Sequence, residues 1–189
     1  LVGSEMCIRD RFSGTGKKAV TIAVYGNRAY EDALLEMNDI LTKCGFTVIA
    51  SGAFVAQHSM APEIGAGRPD GEDEKEIHKF AESVKNSTAT ENVHVPGNRP
   101  YKPEMNMPVA PISLPSCTKC GKCVTVCPTN AISVADGAVI TDIEKCILCM
   151  ACTHICTEQA RISPLPLQQK TEQMLGALKG VRNKNEVFL

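Results

Sequence analysis

The chain has 189 residues, 43% hydrophobic, 4% aromatic and without Trp, long enough for one ordinary domain or two small ones and too short for a large multidomain enzyme. Twenty basic residues against 21 acidic ones leave a formal charge of -1, which excludes a chain-wide attraction to nucleic acid or to an anionic membrane. The longest apolar stretches fall far short of the ~18 residues a membrane span needs and no secretory pattern opens the chain, so a cytoplasmic location is expected.

Residues 1–16 are expected to form a non-native or disordered leader. The opening LVGSEMCIRDR has neither helical nor strand period, and it resembles a translated sequencing-adapter read-through, which implies that upstream sequence is missing; a disordered native tail is the alternative. Ser13-Gly14-Thr15-Gly16 looks like a flavodoxin phosphate loop. No apolar run precedes it, however, and a strand rather than a helix follows, so a strand-entry loop is expected instead.

Residues 19–25 (AVTIAVY) read as a strand buried on both faces. A helix is expected over 30–43, with Ala33, Leu34, Met37, Ile40 and Leu41 on one face and Gly45 at its C-terminal cap. A second buried strand covers 46–51. Asp70 then caps a helix over 71–85, with Glu72, Asp73 and Glu74 set against the positive end of its dipole. Strand, helix, strand, helix is the order of a parallel, doubly wound sheet. Two strands and two helices are too few to cover one another, so residues 17–87 are expected to be the C-terminal part of a larger α/β domain. Cys44, near the end of the first helix, reads as a small apolar residue, and Arg68 as a surface residue or an anchor at the start of the second.

Residues 88–113 carry Pro96, Pro100, Pro103, Pro108 and Pro111 and read as an extended linker. A second unit is expected over 114–163. Of the ten cysteines, eight lie within the 40 positions from Cys117 to Cys156, a concentration that points to metal. Cys117, Cys120, Cys123 and Cys127 follow C-x2-C-x2-C-x3-C, with Pro128 next. Cys146, Cys149, Cys152 and Cys156 repeat the spacing 29 residues later. Three thiolates at every third position wrap one corner of a cubane, and the fourth ligates the other cluster in two-cluster proteins. The assignment is one 4Fe-4S cluster on Cys117, Cys120, Cys123 and Cys156, and another on Cys127, Cys146, Cys149 and Cys152. Zinc and disulfides are the alternatives. Zinc sites use two separated C-x2-C pairs, and cysteines three apart on a tight loop need awkward bridge geometry.

Asp136-Gly137, between the apolar runs 131–134 and 138–141, signals a two-residue hairpin. CTKCGKCVTVCPTNAI and CILCMACTHICTEQA resemble the two repeats of a bacterial-type two-cluster ferredoxin; Thr157 departs from the proline usual in that repeat. Lys119, Lys122, Lys145 and Arg161 are balanced by Asp136, Asp142, Glu144 and Glu158, and read as solvated surface. In the first unit, VYGNRAYEDALLEM, GFTVIASGAFVAQHS and GRPD resemble the later part of a flavodoxin-like domain. The whole is similar to the family in which such a domain is fused to a two-cluster ferredoxin. That likeness places Tyr25, Gly26, Asn27 and Arg28 on the loop that contacts the flavin ring. The residue-level alternatives are packing for Tyr25 and a left-handed turn for Asn27, while His58 reads as a residue closing the loop.

Residues 164–189 are expected as a tail with a short amphipathic helix bearing Leu167, Met174, Leu175 and Leu178. The fold class is then α/β plus α+β, a truncated flavodoxin-like parallel sheet followed by a small ferredoxin-like module. The expected function is one-electron transfer between a redox protein donor and acceptor. FMN is expected only in the untruncated protein, and an electron-relay subunit of a larger redox enzyme is the alternative. No nucleophile and base pair marks the chain as an enzyme by itself.

Overall fold

A computed structural model of the chain describes residues 13–103 and 107–189. The adapter-like string falls outside these residues. The chain is a mixed α/β protein whose described residues divide into two compact units, one from 13–58, 62–103 and 178–189, the other from 59–61 and 107–177.

In the first unit, β1 (Lys18–Tyr25) and β2 (Thr47–Val55) pair in parallel, Thr21 opposite Ser51 and Tyr25 opposite Val55. Parallel neighbours need a crossover, which is α1 (Ala33–Lys43). Its end is a Schellman turn: Gly45 sits at φ +86°, its amide donates to the Thr42 carbonyl at 2.9 Å, and Phe46 N–H donates to Leu41 at 3.0 Å. The next helix, α2 (Gly71–Lys85), starts at a capping box in which Asp70 accepts from the Glu72 and Asp73 amides while the Asp73 carboxylate accepts from Asp70 N–H. Leu34, Leu35, Ala23, Ala53 and Val95 form one core cluster; Ala50, Phe54 and Phe80 form a second. Against α1 the sheet also carries a buried polar trio, in which the Thr21 hydroxyl donates to Asn38 Oδ1 at 2.7 Å and meets Ser51 Oγ at 2.7 Å.

Three expectations change here. First, β1 is not covered on both faces: Ile22 and Val24 are 51% and 68% exposed, because α2 packs Phe80 onto Ala50 and Phe54 of β2. Second, residues 88–103 lack helix and strand yet are docked. Val93 N–H donates to the Val48 carbonyl at 2.7 Å, Asp32 accepts from the amides of Asn98 at 2.8 Å and Lys102 at 2.7 Å, and Arg99 grips Asp39 with two bonds of 2.7 Å. Third, the C-terminal residues return to this unit as β7 (Glu186–Phe188), antiparallel to β2 with Ala53 opposite Glu186. A strand at one edge thus comes from the far end of the chain, giving the order β1-β2-β7.

Residues 13–16 of the expected leader are also part of this unit. Gly14 N–H donates to the Cys44 carbonyl at 2.7 Å and Gly16 N–H to Gly45 at 2.8 Å, so the loop closes onto the α1–β2 turn. Gly14 is buried there, and a Cβ would stand 2.4 Å from the Phe46 nitrogen.

The second unit is built from short elements. The strands β3 (Ile112–Ser113) and β6 (Arg161–Ile162) pair antiparallel around the cysteine segments, and β4 (Ile132–Ala135) and β5 (Ala138–Thr141) form the hairpin. Asp136 at φ +49° and Gly137 at φ +70° give its turn the double left-handed geometry that matches strand twist. Single helical turns, α3 (Lys122–Thr125) and α4 (Ala151–His154), follow the C-x2-C pairs, and α5 (Leu165–Leu175) buries Leu167, Thr171 and Leu175. Met174, expected on that face, is 43% exposed. Among the described residues no helix is long and apolar enough to cross a membrane.

Candidate metal centre

The two cysteine runs share one backbone. Lys119 and Leu148, each preceding the second cysteine of its run, lie at φ +59° and +53°; Gly121 and Met150, each following it, lie at +78° and +60°. Asn130 and Gln159, three residues past the last cysteine, lie at +52° and +48°. Left-handed residues between closely spaced cysteines turn successive side chains toward a common centre, as a ligand loop requires.

Two cavities result. One is lined by Cys117, Cys120, Cys123 and Cys156. The other, of similar size, is lined by Cys127, Cys146, Cys149 and Cys152. The last cysteine of each run therefore stands at the cavity of the other run. All eight are free thiols, Cys152 buried and Cys120 and Cys149 exposed. Among the described residues no three His, Cys, Asp or Glu side chains gather tightly enough to hold a single metal ion.

Residues 116–161 match the family described as the 4Fe-4S dicluster domain. The chain is 35% identical over 54 residues to ferredoxin-1 of Rhodobacter capsulatus, covering 83% of that protein and 25% of this chain. It is 34% identical over 65 residues to an uncharacterized ferredoxin-like protein of Haemophilus influenzae, covering 76% of it and 31% of this chain. The chain belongs to the 4Fe-4S ferredoxin family. To an aliphatic sulfonate oxidoreductase, polyferredoxin-like subunit, of Pyrococcus furiosus, the ferredoxin region is 49% identical over 45 residues; these span 26% of that subunit and 22% of this chain.

The residues of the ferredoxin module fit an iron-sulfur group. Four thiols surround each cavity, and the electrostatics around them are uneven. At Cys120 the Lys122 amide holds the thiol below its usual range; at Cys127 burial pushes upward but is outweighed by the Ala131 amide, which donates to the sulfur at 3.2 Å, and by Thr129. Burial pushes the Cys123 and Cys146 thiols up, opposed at Cys123 by the positive charge of Arg161. Arg161 had been expected at the surface. It is only 4% exposed, Nη1 donates to Ser113 Oγ at 3.1 Å and Nη2 to Thr141 Oγ1, and Nε is a buried side-chain nitrogen with no partner among the described residues. Charge composition gives no sign of this; the signal that could have found it is its place five residues beyond Cys156, where the first run has Ile132.

The residues proposed for a flavin are arranged differently. Asn27 is fully buried: its Nδ2 donates to the Val181 carbonyl at 2.8 Å, and its Oδ1 accepts from Asn183 N–H at 3.1 Å and from Arg68. Gly26 lies under the His58 ring, where a Cβ would meet Cδ2 at 2.6 Å. Burial holds the His58 pKa below its usual value. Tyr25 donates its hydroxyl to the Lys184 carbonyl at 3.3 Å, and Arg28 is exposed and paired with Glu31 at 2.6 Å. Tyr25 and Arg28 do line an open cavity, shared with Tyr30, Lys184 and Glu186. Arg68 is a buried anchor, its guanidinium bidentate on Asp73 and donating to the Asn183 carbonyl at 2.6 Å. The Gly14 and Gly16 amides are occupied by carbonyls, so residues 13–16 offer no cradle for an FMN phosphate.

Proposed function

We propose that the chain is an electron carrier whose second unit holds two 4Fe-4S clusters, one on Cys117, Cys120, Cys123 and Cys156 and the other on Cys127, Cys146, Cys149 and Cys152. The observation that carries this reading is the division of the eight thiols between two cavities of nearly equal size, four to each. When bound, such a group accepts and returns one electron at a time. The chain's residues supply the thiolates, amide donors such as Ala131 N–H, and apolar walls such as Ile132 and Met150 that limit water. Exchange would be with redox proteins in the cytoplasm, near the exposed Cys120 or Cys149.

The finer part of the reading is exchange with FMN in a flavodoxin-ferredoxin fusion. Its support is the parallel β1-α1-β2 unit, with Tyr25 and Arg28 at the carboxyl end of β1 lining an open cavity. The phosphate would have to be held by residues other than 13–16. A relay subunit of a larger oxidoreductase is the second reading, favoured by the 49% identity to the polyferredoxin-like subunit. The chain spans only about a quarter of that relative.

The test is anaerobic purification with iron, acid-labile sulfide and flavin quantified together. About eight irons and eight sulfides per chain are expected for two cubanes. Protein carrying zinc, or iron without sulfide, would end the electron-carrier reading. Eight irons without flavin would remove FMN alone.

A further inference from the structure

Ile132 and Arg161 occupy the same place in the two repeats, five residues beyond Cys127 and Cys156 respectively. Both are buried, at 6% and 4% exposure, and of the two cysteine-lined cavities Ile132 lines the second and Arg161 the first. The backbone around them matches, since Asn130 and Gln159 share the same left-handed φ. What differs is charge. Lys119 and Lys122 also line the first cavity, where the second has Leu148 and Ala151. The second cavity is lined by no charged residue.

The hydrogen-bond partners of Arg161 are two neutral hydroxyls, and its Nε has none among the described residues. A buried cation so placed requires an anion nearby. A cubane held by four thiolates is that anion, and one-electron reduction makes it more negative. A fixed positive charge in a low-dielectric wall favours the reduced form. Lys119 and Lys122 act in the same sense and Glu158 against it, but all three are exposed and screened by solvent.

We propose that Arg161 sets the reduction potential of the first site above that of the second, so that a single electron entering the module comes to rest at Cys117, Cys120, Cys123 and Cys156. This rests on the two-cluster reading. The step is reduction by one electron from dithionite through mediators, with no ligand bond made or broken.

The test is a redox titration of the full-length, iron-loaded chain followed by electron paramagnetic resonance, with iron and sulfide measured on each sample. Wild-type protein should show two separate one-electron waves. In Arg161→Gln the upper wave should move down, changing the partition of the electron between sites at least tenfold, about 59 mV for a one-electron couple. Arg161→Lys should restore much of the separation. Should Arg161→Gln not load fully, the wild-type and Arg161→Lys titrations decide: a single wild-type wave, or a shifted lower wave with the upper unmoved, overturns the proposal. Unchanged waves in fully loaded Arg161→Gln do the same. Wild-type protein without sulfide would instead overturn the two-cluster reading itself.

Discussion

Asn183 grips Asn27 twice, its backbone N–H donating to Asn27 Oδ1 at 3.1 Å and its side-chain amide donating to the Asn27 carbonyl at 2.7 Å. The clasp fastens the C-terminal segment to the loop that follows β1. Asn27→Ala leaves the Asn183 amide and the Val181 carbonyl without their partner in a part-buried place. A loss of about 1–2 kcal/mol in urea unfolding of the first unit is expected from such orphaned groups. A loss below about 0.5 kcal/mol, the range of ordinary surface changes, would show that the clasp is incidental.

The Arg68–Asp73 pair is the second fastening, with side chains 4% and 1% exposed. Removing one partner strands a charge, so Asp73→Ala should destabilise by about 3–5 kcal/mol. The double substitution Arg68→Met with Asp73→Leu should recover a large part of that loss. A double-mutant cycle by urea denaturation measures it, and simple additivity of the two single losses would refute the coupling.

Acid should loosen the first unit through the same carboxylates. Asp73 is held far below its usual pKa, first by the Arg68 guanidinium, and Asp39 is lowered to about 2, first by Arg99 and then by the Tyr101 hydroxyl. A folded pKa below the unfolded ~3.9 means stability that is present above pH ~4 and lost as pH falls toward the folded value. The unfolding midpoint should therefore fall between pH 5 and pH 3, with a shallower slope in Asp39→Asn. All three tyrosines, Tyr25, Tyr30 and Tyr101, belong to this unit, so tyrosine circular dichroism reports it.

The proposed exchange of last ligands between runs makes a specific demand on Cys127. Cys127→Ala should remove the cluster lined by Cys146, Cys149 and Cys152 and leave the one built on its own run, taking iron from about eight to about four per chain. Cys156→Ala should do the opposite. Loss of the Cys117, Cys120 and Cys123 cluster on mutating Cys127 would show that ligands stay within their runs.

Gly14→Ala brings a methyl group to 2.4 Å from the Phe46 nitrogen, a backbone atom that has no rotamer to retreat into. The expected cost is about 1–3 kcal/mol, as for other overpacked sites. Thermal unfolding measures it, and the same assay should find wild-type protein unmoved by added inorganic phosphate.

Where local rules act alone, the fold was legible. Asp70 followed by Asp73 marked the start of the helix over Gly71–Lys85, and Asp136-Gly137 the hairpin turn. Cysteine spacing marked both runs that line the two cavities. The elements that escaped notice depend on distant partners. Glu186–Phe188 is too short to carry a strand pattern and pairs only because β2 presents an open edge. Residues 88–103 look like a linker because their hydrogen bonds go to Asp32, Asp39 and Val48, far back in the chain. At the candidate site, the cysteines were visible but the burial of Arg161 was not, since charge counting treats every arginine as surface. The flavin-loop residues were named by likeness, and the commitment of Asn27 to Val181 and Asn183 could not be seen from the loop alone.

Because the described residues of the first unit stop at 103 and resume at 178, the segment between is an insertion within a host. An empty, unfolded insertion would oblige the host to close a long, slack chain, whereas a loaded one acts as a short rigid staple. Loop-closure entropy puts the difference at about 2 kcal/mol. If the module holds clusters as proposed, iron loading would then also firm the hold on β7.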